Sequence, residues 1–150
     1  MSDIERWSLV VLTIALFGAG SHAGGETPSK AVGDRLPTQG SVINYPGGND
    51  TLTAYVAAPT DVDGQMPAVI VIHEWWGLND WVRENADRFA GRGYVALAVD
   101  LYRGRSATDS GEAHELMRGL PEVRAERDLS AAFAYLRSRD DVDPDRIGAI

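Results

Sequence analysis

One stretch sets chemically capable side chains in a row: His73-Glu74-Trp75-Trp76-Gly77-Leu78-Asn79. It follows directly on Ala68-Val69-Ile70-Val71-Ile72, an uninterrupted apolar run. A run of that kind marks a strand covered on both faces, as in a parallel sheet. A carboxylate at the exit of such a strand is costly to place unless it lines a pocket. Partial desolvation there would raise its pKa and suit it to acid–base work. Glu74 is therefore the leading candidate for chemistry, the alternative being a glutamate that caps the next helix or pairs with an arginine. His73 reads as a hydrogen-bonded strand-end residue in preference to a base. The two tryptophans either line the pocket or fill core and lid contacts. A zinc site of the HExxH kind fails, because it needs a histidine where the chain has Gly77. No cofactor is implied.

A second cluster, Asp100-Leu101-Tyr102-Arg103-Gly104-Arg105, closes the next apolar run, residues 94–99. Asp100 reads first as a loop holder that accepts backbone N–H groups, and only second as catalytic. Arg103 and Arg105 match a substrate carboxylate bidentately, or are solvated loop charges. His114 reads as a surface residue.

The elements that must position these groups follow from periodicity. Residues 41–45 and 51–58 form a hairpin around Pro46-Gly47-Gly48-Asn49-Asp50, with Leu52, Ala54 and Val56 alternating against polar neighbours. Asn79 or Asp80 caps a helix with Val82, Ala86, Phe89 and Ala90 on one face, ended by Gly91 and Gly93. Asp109 and Glu112 are spaced as a capping box for a short helix through Met117. Pro121 opens a longer helix with Ala125, Leu129, Ala132, Phe133 and Leu136 along one side. Asp143-Pro144-Asp145-Arg146 reads as a turn before a last apolar strand at Ile147. This alternation specifies an α/β fold with a mainly parallel sheet. In open sheets of that kind ligands bind at the carboxyl ends of the strands, where both clusters fall.

Composition narrows the function classes. Of 150 residues 44% are hydrophobic and 24% charged, which suits a globular domain and not a disordered chain. A formal charge of −8 argues against partners held by basic patches, nucleic acid above all. There is no cysteine, hence no disulfide and no thiolate within these residues. Residues 1–23 read as a signal peptide: a polar start with Arg6, an apolar stretch over residues 7–19, and small residues at Ser21 and Ala23. That stretch is short for a permanent membrane span, so an exported protein, periplasmic or secreted, is expected. Residues 24–40 read as a flexible lead-in and 41–150 as the α/β domain.

The strings Val71-Ile72-His73-Glu74-Trp75-Trp76-Gly77-Leu78-Asn79, Gly93-Tyr94-Val95-Ala96, Asp100-Leu101-Tyr102 and Val142-Asp143-Pro144-Asp145-Arg146-Ile147-Gly148 together resemble the dienelactone hydrolase family. The resemblance covers roughly residues 41–150 and implies the N-terminal half of an α/β-hydrolase fold, stopping before the nucleophile elbow. It further implies a Cys-His-Asp hydrolase of lactones or esters whose three triad residues lie beyond Ile150. Glu74 matches the family glutamate that deprotonates the thiol, and Trp75 the residue whose backbone N–H forms half of the oxyanion hole. The resemblance places the family's carboxylate-binding arginine on no residue here, which leaves a broader esterase role open. A non-catalytic exported small-molecule-binding domain is the competing expectation. A sheet ending at Ile150 is also expected to leave a buried strand edge unpaired and prone to association.

Overall fold

The computed structural model describes residues 35–150. The leader read in residues 1–23, and the lead-in as far as residue 34, lie outside the described residues. The elements run β1 (Thr38–Gly47), β2 (Asp50–Pro59), β3 (Met66–Ile72), α1 (Asp80–Ala90), β4 (Val95–Val99), α2 (Ser110–Arg118), α3 (Glu122–Arg137) and β5 (Val142–Ala149). They form a sheet in the order β1-β2-β4-β3-β5. The β4, β3 and β5 strands are parallel, and the β1–β2 hairpin adds antiparallel through β2 to β4.

Strand periodicity sorts the core into two layers. Ala68 and Ile70 of β3, with Val95, Leu97 and Val99 of β4, meet Leu116, Ala132 and Leu136 from α2 and α3. Val69 and Val71, with Ala96 and Ala98, turn to the opposite face and meet Val82, Ala86 and Ala90 of α1. Alternate residues of one strand thus serve different helices, which is why the β3 run needed no polar residue. The α1 layer is built largely from alanines on both sides, and small side chains let helix and sheet approach closely.

The hairpin is tighter than the turn residues suggested: β1 pairs as far as Gly47↔Asp50, leaving Gly48 and Asn49 as a two-residue loop. Gly48 sits at φ +73°, a conformation that favours glycine. At its other end β1 starts at Thr38, so Thr38, Gln39 and Gly40 of the expected lead-in are strand residues paired with Pro59, Ala58 and Ala57.

The expected turn at residues 143–146 is corrected, because β5 runs through it. Met66 faces Val142 and Ala68 faces Ile147, so Asp143, Pro144, Asp145 and Arg146 all stand against Pro67. Prolines on both strands remove ladder donors, and the Asp145 N–H turns to the Asp143 carboxylate at 3.0 Å. The local chemistry is that of a turn, carried as a bulge on a strand with no further neighbour among the described residues.

Candidate active site at the ends of β3 and β4

The two loops leaving the parallel strands are joined to each other. Asn79 caps α1 by accepting from Val82 N at 3.1 Å, and this ends the first loop. Asp109 caps α2 by accepting from Glu112 N at 3.0 Å, while Glu112 Oε2 accepts from Thr108 N at 3.1 Å. Between these caps Ala107 N donates to Trp76 O at 2.9 Å, and Gly77 bridges antiparallel to Ser106. Gly77 is required there: its φ is +90°, and a Cβ would lie 2.7 Å from the Arg105 carbonyl oxygen.

His73 is buried, and both ring nitrogens are used. Its Nδ1 lies 2.6 Å from the Glu74 carbonyl oxygen, and its Nε2 accepts from Leu101 N at 3.2 Å. The ring packs on Tyr102 with centroids 4.5 Å apart. The strand-end role expected of His73 is the one the structure gives it.

Glu74 is the next residue of this loop. It is exposed, and among the described residues its carboxylate takes part in no ion pair or side-chain hydrogen bond. The helix cap is Asn79, so neither structural alternative for Glu74 is realised. The partial desolvation expected of its carboxyl is not provided by the described residues. Trp75 is half-buried, and its backbone N–H has no acceptor among the described residues. The indole lies against Trp76 at 5.0 Å and against the His114 ring, edge to face, at 4.7 Å. That last contact was missed from sequence, where nothing local links a helix residue to a loop so far upstream.

The second cluster is a clamp. Asp100 accepts from Tyr102 N at 3.1 Å and from Gly104 N, the loop-holding role expected first. Arg103, at φ +58°, is paired with Asp128 of α3 at 2.8 Å and with Asp50 of the hairpin at 3.6 Å. Arg127 binds the same two carboxylates, at 3.1 and 2.7 Å. Arg105 reaches Glu112 at 3.9 Å. The arginines of this loop are therefore engaged by the protein's own carboxylates. Asp128, only 2% exposed, was also missed. It sits on the buried side of α3, where helical periodicity alone predicts an apolar residue. A cleft of about 190 Å³ lies beside the clamp, lined by Leu78, Arg83, Asp100 and Arg105 among others; Glu74 and Trp75 do not line it.

A parallel core in the order β4-β3-β5, extended by an antiparallel hairpin and covered by helices on both faces, is a doubly wound α/β sheet. Its solved neighbours include dienelactone hydrolases of the α/β-hydrolase fold. The dienelactone hydrolase family model matches residues 52–150. The "Putative carboxymethylenebutenolidase" of Synechocystis sp. is 33% identical over 118 residues, covering 73% of this chain and 48% of that protein. Among solved structures, m3DLH superposes with a TM-score of 0.66 at 36% identity, over 75% of this chain and 48% of that one. A dienelactone hydrolase-like promiscuous phosphotriesterase from metagenomic libraries gives 0.66 at 25% identity, over 75% of this chain and 48% of that one. The chain belongs to the dienelactone hydrolase family. It spans about half the length of the curated relatives it matches.

Proposed function

We propose that the complete protein is an exported hydrolase that cleaves lactones or carboxylic esters through a Cys-His-Asp triad lying beyond residue 150. Glu74 would take the thiol proton as substrate enters, and the thiolate would add to the substrate carbonyl carbon. The carbonyl oxygen would then carry the negative charge, held by the Trp75 N–H and by the N–H following the nucleophile. Collapse of that intermediate expels the alkoxide and leaves an acyl-enzyme, which water then hydrolyses.

The observation that carries this reading is the pairing of an unpartnered carboxylate with an unpartnered backbone N–H on adjacent residues at the exit of a buried strand. Buried polar groups in folded proteins are overwhelmingly paired, so the open N–H of the half-buried Trp75 is the unusual member of the two. Two left open side by side are what a reacting carbonyl and a nucleophile need.

The reading is tested on the complete protein with p-nitrophenyl esters and five-membered lactones. Turnover, together with Gly-x-Cys-x-Gly shortly after Ile150, supports it. An elbow position with neither cysteine nor serine, and ligand binding without turnover, would overturn it in favour of a binding domain. Residues 1–150 alone should show no inhibitor-sensitive esterase activity, because the triad lies elsewhere. Export is tested by N-terminal sequencing of the protein from the producing cell: removal up to Ala23 is the expected result, and retention of Met1 contradicts it.

A further inference from the structure

The Trp75 N–H is one end of a peptide group whose other end is the Glu74 carbonyl. There are no cis peptide bonds among the described residues, so these two dipole ends point in opposite directions. Whatever fixes the carbonyl therefore aims the N–H. Two donors hold that carbonyl oxygen: His73 Nδ1 at 2.6 Å and Gly77 N at 3.3 Å. The first is short and comes from a buried ring, 6% exposed, packed at a 59° tilt against Tyr102 and held at its far nitrogen by Leu101 N.

We infer that His73 is the positioning residue for the Trp75 N–H, holding it in place through the shared peptide group; its catalytic meaning rests on the function proposed above. The tautomer follows from the partners. Leu101 N–H can only donate, so Nε2 must carry the lone pair. The Glu74 carbonyl can only accept, so Nδ1 must carry the proton. A neutral imidazole satisfies both partners at once, and no other state of the ring does. Leu101 thus locks the ring, the ring locks the peptide, and the peptide presents a donor that has no other use. Hydrogen bonding at the carbonyl also polarises the amide and strengthens its N–H as a donor.

Two variants of the complete protein separate positioning from simple packing. In His73→Leu both hydrogen bonds are lost; in His73→Gln an amide supplies a donor and an acceptor again. For p-nitrophenyl acetate, His73→Leu should lower kcat by about 100-fold with KM changed little, as expected of a misaimed donor. His73→Gln should recover most of that loss. Equal kcat in His73→Leu and the parent, or no recovery in His73→Gln at matched thermal stability, would overturn the inference.

A measurement independent of catalysis, and of how the variants fold, is nitrogen NMR of the imidazole in the unmutated protein. It should show a proton on Nδ1, a bare Nε2, and a coupling across the hydrogen bond to the Glu74 carbonyl carbon. A proton on Nε2 would refute the inference even if esters are hydrolysed. Absence of hydrolysis with the Nδ1–H signature intact would refute the proposed function and leave the peptide geometry standing.

Discussion

The loops after β3 and β4 leave adjacent parallel strands and are hydrogen-bonded to each other, yet they handle their polar groups in opposite ways. After β4, Asp100 accepts two backbone N–H groups and Arg103 is held by carboxylates from α3 and the hairpin. After β3, the Glu74 carboxylate and the Trp75 N–H have no partner among the described residues. The β4 loop uses its charged groups to hold shape, and the β3 loop leaves a carboxylate and a backbone N–H open. Substitutions should accordingly damage stability in one loop and activity in the other.

The largest stability effect should come from Asp128→Ala. It removes a carboxylate that is 2% exposed and takes a partner from both Arg103 and Arg127. A loss of about 3 kcal/mol in urea unfolding is expected, the scale for breaking a buried pair from one side. A loss below about 1 kcal/mol would place this cluster among ordinary surface pairs.

Alkaline pH probes the same clamp. Burial pushes the Tyr45 hydroxyl up to about 12, with Asp128 adding to the effect and Arg103 opposing it. Below pH 10, folded and unfolded chains both keep that proton. Between pH 10 and about 12 the unfolded chain loses it first. Stability should therefore fall across that window by roughly 2 kcal/mol, and Tyr45→Phe should remove this component. An unchanged slope in Tyr45→Phe would assign the alkaline loss elsewhere.

A smaller effect tests the seam between the loops. Gly77→Ala puts a methyl 2.7 Å from the Arg105 carbonyl oxygen at φ +90°. About 1–2 kcal/mol should be lost, with faster amide exchange at Ala107, the donor to Trp76 O. Unchanged exchange at Ala107 would mean that the loops are not coupled. Smallest of all, Arg105→Ala breaks a 3.9 Å pair on a side chain 64% exposed. Its effect should stay within about 0.5 kcal/mol.

Most of the scaffold was legible because strand and helix periods are local properties. The β3 run, the Asn79 cap and the Asp109–Glu112 capping pair each lie within a few residues, and each is present as the spacing suggests. The bulge in β5 was half legible: Asp143 and Pro144 do make turn chemistry, but only the β3 partner strand shows that the chain stays in the sheet. Long-range pairings were the blind spot. Asp128 with Arg103, and His114 with Trp75, join residues whose proximity depends on how α2 and α3 cross the strand ends. Glu74 is exposed among the described residues, and its desolvation depends on what covers the strand exit in the complete protein.

The contrast between the loops meets its most direct test in Glu74→Gln, made in the complete protein and measured for both ester turnover and thermal midpoint. Turnover should fall by about 100-fold or more while stability stays within about 0.5 kcal/mol, because the carboxylate has no ion pair or side-chain hydrogen bond among the described residues. Turnover close to that of the parent protein, or a clear drop in thermal midpoint, would contradict the account.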